Sequence, residues 1–245
     1  MGSEFYLITG TSRGIGEALA RRLVADGQTV LGVSRSRPEG LSSDRYHHLS
    51  FDLSDTAGID RIMDGVERII GDQRFDFVCL VNNASATEPI GPIEKCPANE
   101  IEAHVRIGLI APMILTSQFV RRFAAGKMRK KVAFISSGAA FRPIPGESVY
   151  CGAKAGLHMF AQCVGQEQGE VAGDFELVSI GPGMVDTAMQ AAARSKPSDE
   201  FAMADFFKQA FEDGRLQDPG QVAEKIYMIL ANRYEQGRYV AVSDV

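Results

Sequence analysis

The chain has 245 residues, of which 45% are hydrophobic and 23% charged, so it is long enough to bury a substantial core. Its net charge of −5 gives no general attraction to nucleic acid or to an anionic membrane surface. No apolar run is expected to reach the length that crosses a bilayer, and the first residues carry no basic-then-apolar export signal, so a cytoplasmic location is expected. Cys79, Cys96, Cys151 and Cys163 show no metal-ligand spacing and read as reduced thiols. His47 and His48 are expected to flank a strand, and no metal site is expected.

Taken in order, the elements alternate. The apolar stretch FYLITG predicts a strand at the start, followed by a helix from Gly14 to Asp26 and a second strand, TVLGVS. YHHLSFD predicts a third strand. Segment 55–71 places Ile59, Ile62, Met63, Val66, Ile69 and Ile70 at helical spacing. FDFVCLVNN and KVAFISS, separated by a long helix over roughly 99–125, read as strands covered on both faces because their apolar residues are continuous. Next come a helix holding Tyr150 and Lys154, a strand FELVSIGPG, polar and helical segments to about 233, and a last strand GRYVAV. Such alternation predicts a single α/β domain over residues 1–245, a Rossmann-type doubly wound parallel sheet of about seven strands.

Two local patterns point to a dinucleotide. The first strand runs into 9-TGTSRGIG-16, where glycines let backbone N–H groups approach a phosphate at the positive end of a helix. The spacing departs from GxGxxG, so a tight turn with no ligand also satisfies this segment alone. At the end of the second strand stand Ser34 and Arg35, with no acidic residue to take a ribose 2′-hydroxyl. Together with Arg13 they suit a 2′-phosphate, which favours NADP(H) over NAD(H).

Tyr150 and Lys154 are four residues apart and so share a helical face. With 9-TGTSRGIG-16, 82-NNA-84, 135-ISSG-138 and 181-GPGMVDT-187, in this order, the chain resembles the short-chain dehydrogenase/reductase family over essentially its whole length. Within the family, 111-APMILTS-117, YCGAKAGLHMF and PGMVDTAMQ are similar to the benzil reductase branch and the neighbouring sepiapterin reductases.

The resemblance implies an oxidoreductase acting on CH–OH and C=O groups, with Ser137, Tyr150 and Lys154 as catalytic residues. It implies that Gly10, Ser12, Arg13, Gly14, Ile15 and Gly16 hold the pyrophosphate and nearby ribose. Asp52 and Leu53 would meet the adenine, Asn83 and Ala84 the central ribose, and Val185 and Thr187 the carboxamide; Tyr150 and Lys154 also meet the cofactor. A phenol ordinarily titrates near 10, and lowering it toward neutrality takes roughly 4 kcal/mol; the Lys154 ammonium and the oxidised nicotinamide both favour phenolate, and the ammonium is expected to supply that stabilisation.

One position departs from the family pattern: Gly108 stands where an asparagine usually supports a water-linked relay to the lysine, and glycine tolerates the helix distortion such a site needs. Ser85 likewise replaces a glycine. Gly152 and Gly156 lie on the helix face away from Tyr150, and either close packing within the chain or a homodimer satisfies them. Residues 187–215, with Met189, Phe201, Met203, Phe206 and Phe207, are expected to form a substrate lid, the phenylalanines serving equally as the buried face of an ordinary helix. With Phe141, Ile144 and Pro145 they predict an apolar pocket for a small carbonyl substrate, an aryl or vicinal diketone such as benzil. A pteridine side-chain diketone is the alternative substrate, and a non-catalytic NADP(H)-binding regulator the alternative function.

Overall fold

Strands that are buried on both faces must be apolar at consecutive positions, and neighbouring positions then serve opposite layers. In the computed structural model, which describes residues 2–71, 73–170 and 175–245, β1 (Glu4–Thr9) follows this rule. Phe5 and Leu7 enter one core with residues of α2 (Asp60–Ile70), α4 (Ala111–Arg122) and α5 (Ser148–Glu170). Tyr6 and Ile8 enter the other with α1 (Gly14–Ala25) and α8 (Pro219–Ala231).

The other strands are β2 (Thr29–Ser34), β3 (Tyr46–Ser50), β4 (Phe77–Asn82), β5 (Arg129–Ile135), β6 (Phe175–Gly181) and β7 (Arg238–Ala241). They form one parallel sheet in the order β3-β2-β1-β4-β5-β6-β7. Leu7 is paired with Leu31 on one side and Leu80 on the other. The chain winds outward in both directions from β1 and β4, and the crevice at that reversal is where an open sheet of this type accepts ligands. His47 and His48 lie inside β3 instead of flanking it, because the strand begins at Tyr46.

Local chemistry sets the helix starts. Asp218 caps α8 by accepting from the backbone N–H groups of Gly220 and Gln221, with Pro219 in the first turn. Thr187 caps α6 (Ala188–Ser195) through the N–H of Gln190. α7 (Ala204–Glu212) follows across a short turn, and Phe201, fully buried, gathers Ile90, Ile144, Met203 and Phe207 into a satellite cluster.

The long helix of the sequence reading is composite: α3 (Ala98–Val105), one π-helical turn (Arg106–Ile110) and α4. Its span, Ala98–Arg122, is long and apolar enough to cross a bilayer by length and composition, which the sequence reading had not anticipated. Part of its apolar surface is used inside the protein: Leu115 and Phe119 are fully buried against the sheet, whereas Ile110 is exposed.

Candidate active site

The carboxyl ends of the central strands open onto a cleft of about 1090 Å³. Every residue expected at the site lines it except Gly16, which lies behind the glycine turn. A Cβ on Gly16 would come within 2.3 Å of the Gly10 carbonyl oxygen and 2.5 Å of Asn83 Nδ2. Gly16 therefore lets α1 close against the turn without facing the cleft.

Gly10 and Gly14 have φ of 74° and 63°, which side chains rarely adopt. Arg13 is the N-cap of α1 and makes no side-chain cap hydrogen bond, so the first N–H groups of the helix face the cleft without a side-chain acceptor. This cradle fits a pyrophosphate.

Asn83 does more than line the cleft. Its amide Nδ2 donates to the carbonyls of Thr9 (2.9 Å) and Gly10 (3.2 Å), and its own N–H donates to Thr9 Oγ1. It clamps the loop after β4 onto the loop after β1.

At the end of β2, Arg35 is exposed at the rim, whereas the Ser34 hydroxyl is already engaged with Thr11 Oγ1 (3.2 Å), the Ser36 carbonyl (2.9 Å) and His48. Asp52, which also lines the cleft, accepts from the N–H and hydroxyl of Ser54, and these bonds hold its carboxyl below the usual carboxylate range. Exposed Arg13 and Arg35 fit a phosphate at this end better than a bare hydroxyl.

At the inner end, β5 delivers Ser137 and α5 delivers Tyr150 and Lys154. Ser137 Oγ accepts from the N–H of Ala139, which fixes the hydroxyl at the start of a 3₁₀ turn. Lys154 Nζ is buried, donates to the Ile135 carbonyl over 2.8 Å and lies 5.6 Å from the centre of the Tyr150 ring.

The protein's own groups do not by themselves supply the expected acidification of the phenol. Burial pushes Tyr150 up to about 12, and the nearby Ser137 hydroxyl opposes this only in part. Burial also pulls Lys154 down to about 8. The low-dielectric surroundings disfavour phenolate and ammonium alike, and in this setting desolvation outweighs their attraction. Tyr150 is thus a stored proton at neutral pH.

The walls between are largely apolar: Ile90, Ile144, Met189, Met203, Phe206 and Phe207. Phe141 is not among them. It is 53% exposed and packs against His158 and Tyr239 at centroid distances of 4.7 and 4.8 Å.

Two groups near the chemistry had escaped sequence reading. Glu147 lines the cleft one turn before Tyr150, its carboxyl raised to about 6 by burial. His104 packs its ring edge-on against Tyr150, 5.9 Å between centroids. Nothing in the sequence marked either, since each becomes special only through neighbours on other elements.

Comparison with known proteins agrees with this geometry. The short chain dehydrogenase family model matches residues 4–198. Benzil reductase ((S)-benzoin forming) of Bacillus cereus is 35% identical over 98% of this chain and 100% of its own length. Sepiapterin reductase of Meriones unguiculatus is 28% identical, covering 100% of this chain and 98% of its own. The crystal structure of the KRED1-Pglu enzyme superposes with a TM-score of 0.85 at 26% identity, over 97% of this chain and 100% of that one. A glycine turn at the sheet's reversal, a Tyr–Lys pair beside a serine, and this likeness in sequence and fold lead to one identification: the chain belongs to the short chain dehydrogenase family, oxidoreductases that use nicotinamide cofactors on CH–OH and C=O groups.

Proposed function

We propose that the protein is an NADPH-dependent carbonyl reductase that reduces one carbonyl of an aryl or vicinal diketone to a hydroxyketone. The observation that carries this reading is the convergence of Ser137, Tyr150 and Lys154 at the inner end of a cleft whose outer walls are apolar. The likeness to benzil reductase supports the substrate class.

A reduced nicotinamide, held by the residues of the glycine turn, would supply the hydride when bound. Tyr150 gives its phenolic proton to the carbonyl oxygen as negative charge develops there, and the alkoxide is a strong enough base to take it from a phenol near 12. Ser137 donates a hydrogen bond to the same oxygen. Lys154 holds a positive charge beside the phenolate that remains, and the residues of the glycine turn and Arg35 hold the cofactor's phosphates. Residues 187–215 act as the lid, with Met203, Phe206 and Phe207 over the substrate and Phe201 as the buried anchor. A homodimer through α4 and α5 suits Gly152, beside whose Cβ position no atom lies within 4 Å, whereas Gly156 already meets Leu109.

Steady-state oxidation of NADPH with benzil tests the reading. Turnover is expected, with a loss of about a thousandfold in Tyr150→Phe. No turnover, together with no effect of that substitution, refutes it. The likeness to sepiapterin reductase favours a second substrate, a pteridine carrying a side-chain diketone. A larger kcat/KM for that compound than for benzil would select it.

A further inference from the structure

His104 is completely buried in α3, and its two ring nitrogens have unequal fates. Nδ1 lies 2.8 Å from the main-chain carbonyl oxygen of Glu88. A carbonyl only accepts, so Nδ1 carries the hydrogen, and Nε2 of the neutral ring is left with an acceptor lone pair. Burial and the charge of Lys154 both hold this imidazole below its usual pKa, so it is neutral.

Among the described residues, Nε2 has no hydrogen-bond partner. A buried acceptor left in that condition destabilises the fold unless something donates to it. Its surroundings are specific: a Cβ built on Gly108 would stand 3.9 Å from Nε2 and 3.6 Å from the Cβ of Ala153, the residue beside Lys154. Gly108 is the central residue of the π-helical turn, so the helix is widened where the imidazole edge meets α5.

Across that seam, Lys154 has a donor surplus. Its ammonium is nearly inaccessible and, among the described residues, has one acceptor, the Ile135 carbonyl, for three N–H groups. The imidazole and the ammonium flank the same Tyr150 ring, at 5.9 Å between ring centres and 5.6 Å from Nζ to the ring centre. One group lacks a donor, the other has more donors than protein acceptors, and both are buried. A single water, which both accepts and donates, satisfies the two.

We propose that His104 is a positioning residue whose Nε2 accepts a hydrogen bond from a buried water that in turn accepts from the Lys154 ammonium, in the space left by Gly108. Through this link His104 supports the charge on Lys154 and thereby sets the proton affinity of Tyr150. The inference rests on Tyr150 being the proton donor. The charged and titratable groups around the phenol are Lys154 and His104, with Cys151 on its own helix, Glu147 just before that helix and Ser137 opposite.

Two substitutions separate this role from packing. In His104→Asn the amide can still donate to the Glu88 carbonyl, but nothing occupies the place of Nε2; in His104→Gln the longer side chain returns a polar atom there. The readouts are kcat and KM for benzil with NADPH, and the titration of Tyr150 followed by NMR of ¹³Cζ-labelled tyrosine. His104→Asn is expected to lower kcat by about tenfold or more with KM changed less than about twofold. The Tyr150 titration should move to higher pH, and His104→Gln should restore most of both.

Equal behaviour of the two variants, or an unmoved Tyr150 titration in His104→Asn, overturns the proposal. Should His104→Asn not fold, ¹⁵N-histidine NMR of the unaltered protein decides. An Nε2 shift typical of a hydrogen-bonded acceptor supports the proposal, and one typical of a free lone pair sinks it. Both NMR measurements read out even if benzil is not turned over, so failure of the substrate assignment stays distinct from failure of this one.

Discussion

The side-chain amide of Asn83 donates to the main-chain carbonyl of Thr9 over 2.9 Å, tying the end of β4 to the end of β1 across the sheet's reversal point. The glycine turn that would hold the pyrophosphate is therefore shaped by a residue 74 positions away. Replacing Asn83 with alanine leaves the Thr9 carbonyl and the Gly10 carbonyl without this donor, at a cost of about 1–3 kcal/mol. Thermal unfolding should show a lower Tm, and fluorescence titration a weaker Kd for NADPH.

Cofactor choice rests on the rim of the cleft. Ser34 is tied into an internal network, which leaves Arg35 and Arg13 as the groups able to meet a 2′-phosphate. Loss of a charge-assisted contact is worth about 1.5–3 kcal/mol, roughly ten- to a hundredfold in affinity. Arg35→Ala should weaken NADPH by that factor and NADH by less than about twofold. Equal weakening of both would refute the 2′-phosphate assignment.

The opposed titrations of Tyr150 and Lys154 predict an asymmetric pH response. Reduction needs the phenol protonated, which a value near 12 secures, and the ammonium charged, which is lost as pH rises through about 8. The kcat/KM for reduction should be level below pH 8 and fall above it, whereas alcohol oxidation, which needs phenolate, should rise with pH. A reduction profile level to pH 10 would contradict this order.

Glu147 offers a stability test. Its carboxyl titrates at about 6 in the folded protein against a usual 4.5, so the folded state holds the proton more tightly. Stability from this group is then complete below about 4.5 and is lost as pH rises through 6, by up to about 2 kcal/mol. Glu147→Gln has nothing to ionise. Its advantage over the native protein should be close to zero near pH 4 and about 1–2 kcal/mol at pH 8, read from urea unfolding.

The fold was largely legible in the amino-acid order because its signals are local. Strands such as VCLV and VAFI are apolar at every position since both faces are covered, and α2 repeats its apolar residues at helical spacing. The four-residue spacing of Tyr150 and Lys154 and the positive φ of Gly10 and Gly14 are likewise written into short stretches of chain.

Burial and hydrogen-bond completion depend on what other elements bring. Strand and helix periodicity, together with the family resemblance, placed the glycine turn, Ser137, Tyr150 and Lys154 at the same end of the sheet. Only the tertiary structure decided their chemical condition. It withdrew water from Tyr150 and Lys154, turned Phe141 aside onto His158 and Tyr239, and left unsatisfied a nitrogen of the imidazole that packs against the Tyr150 ring. The physical reason is that desolvation and an orphaned lone pair belong to a packed environment, and no single stretch of chain contains one.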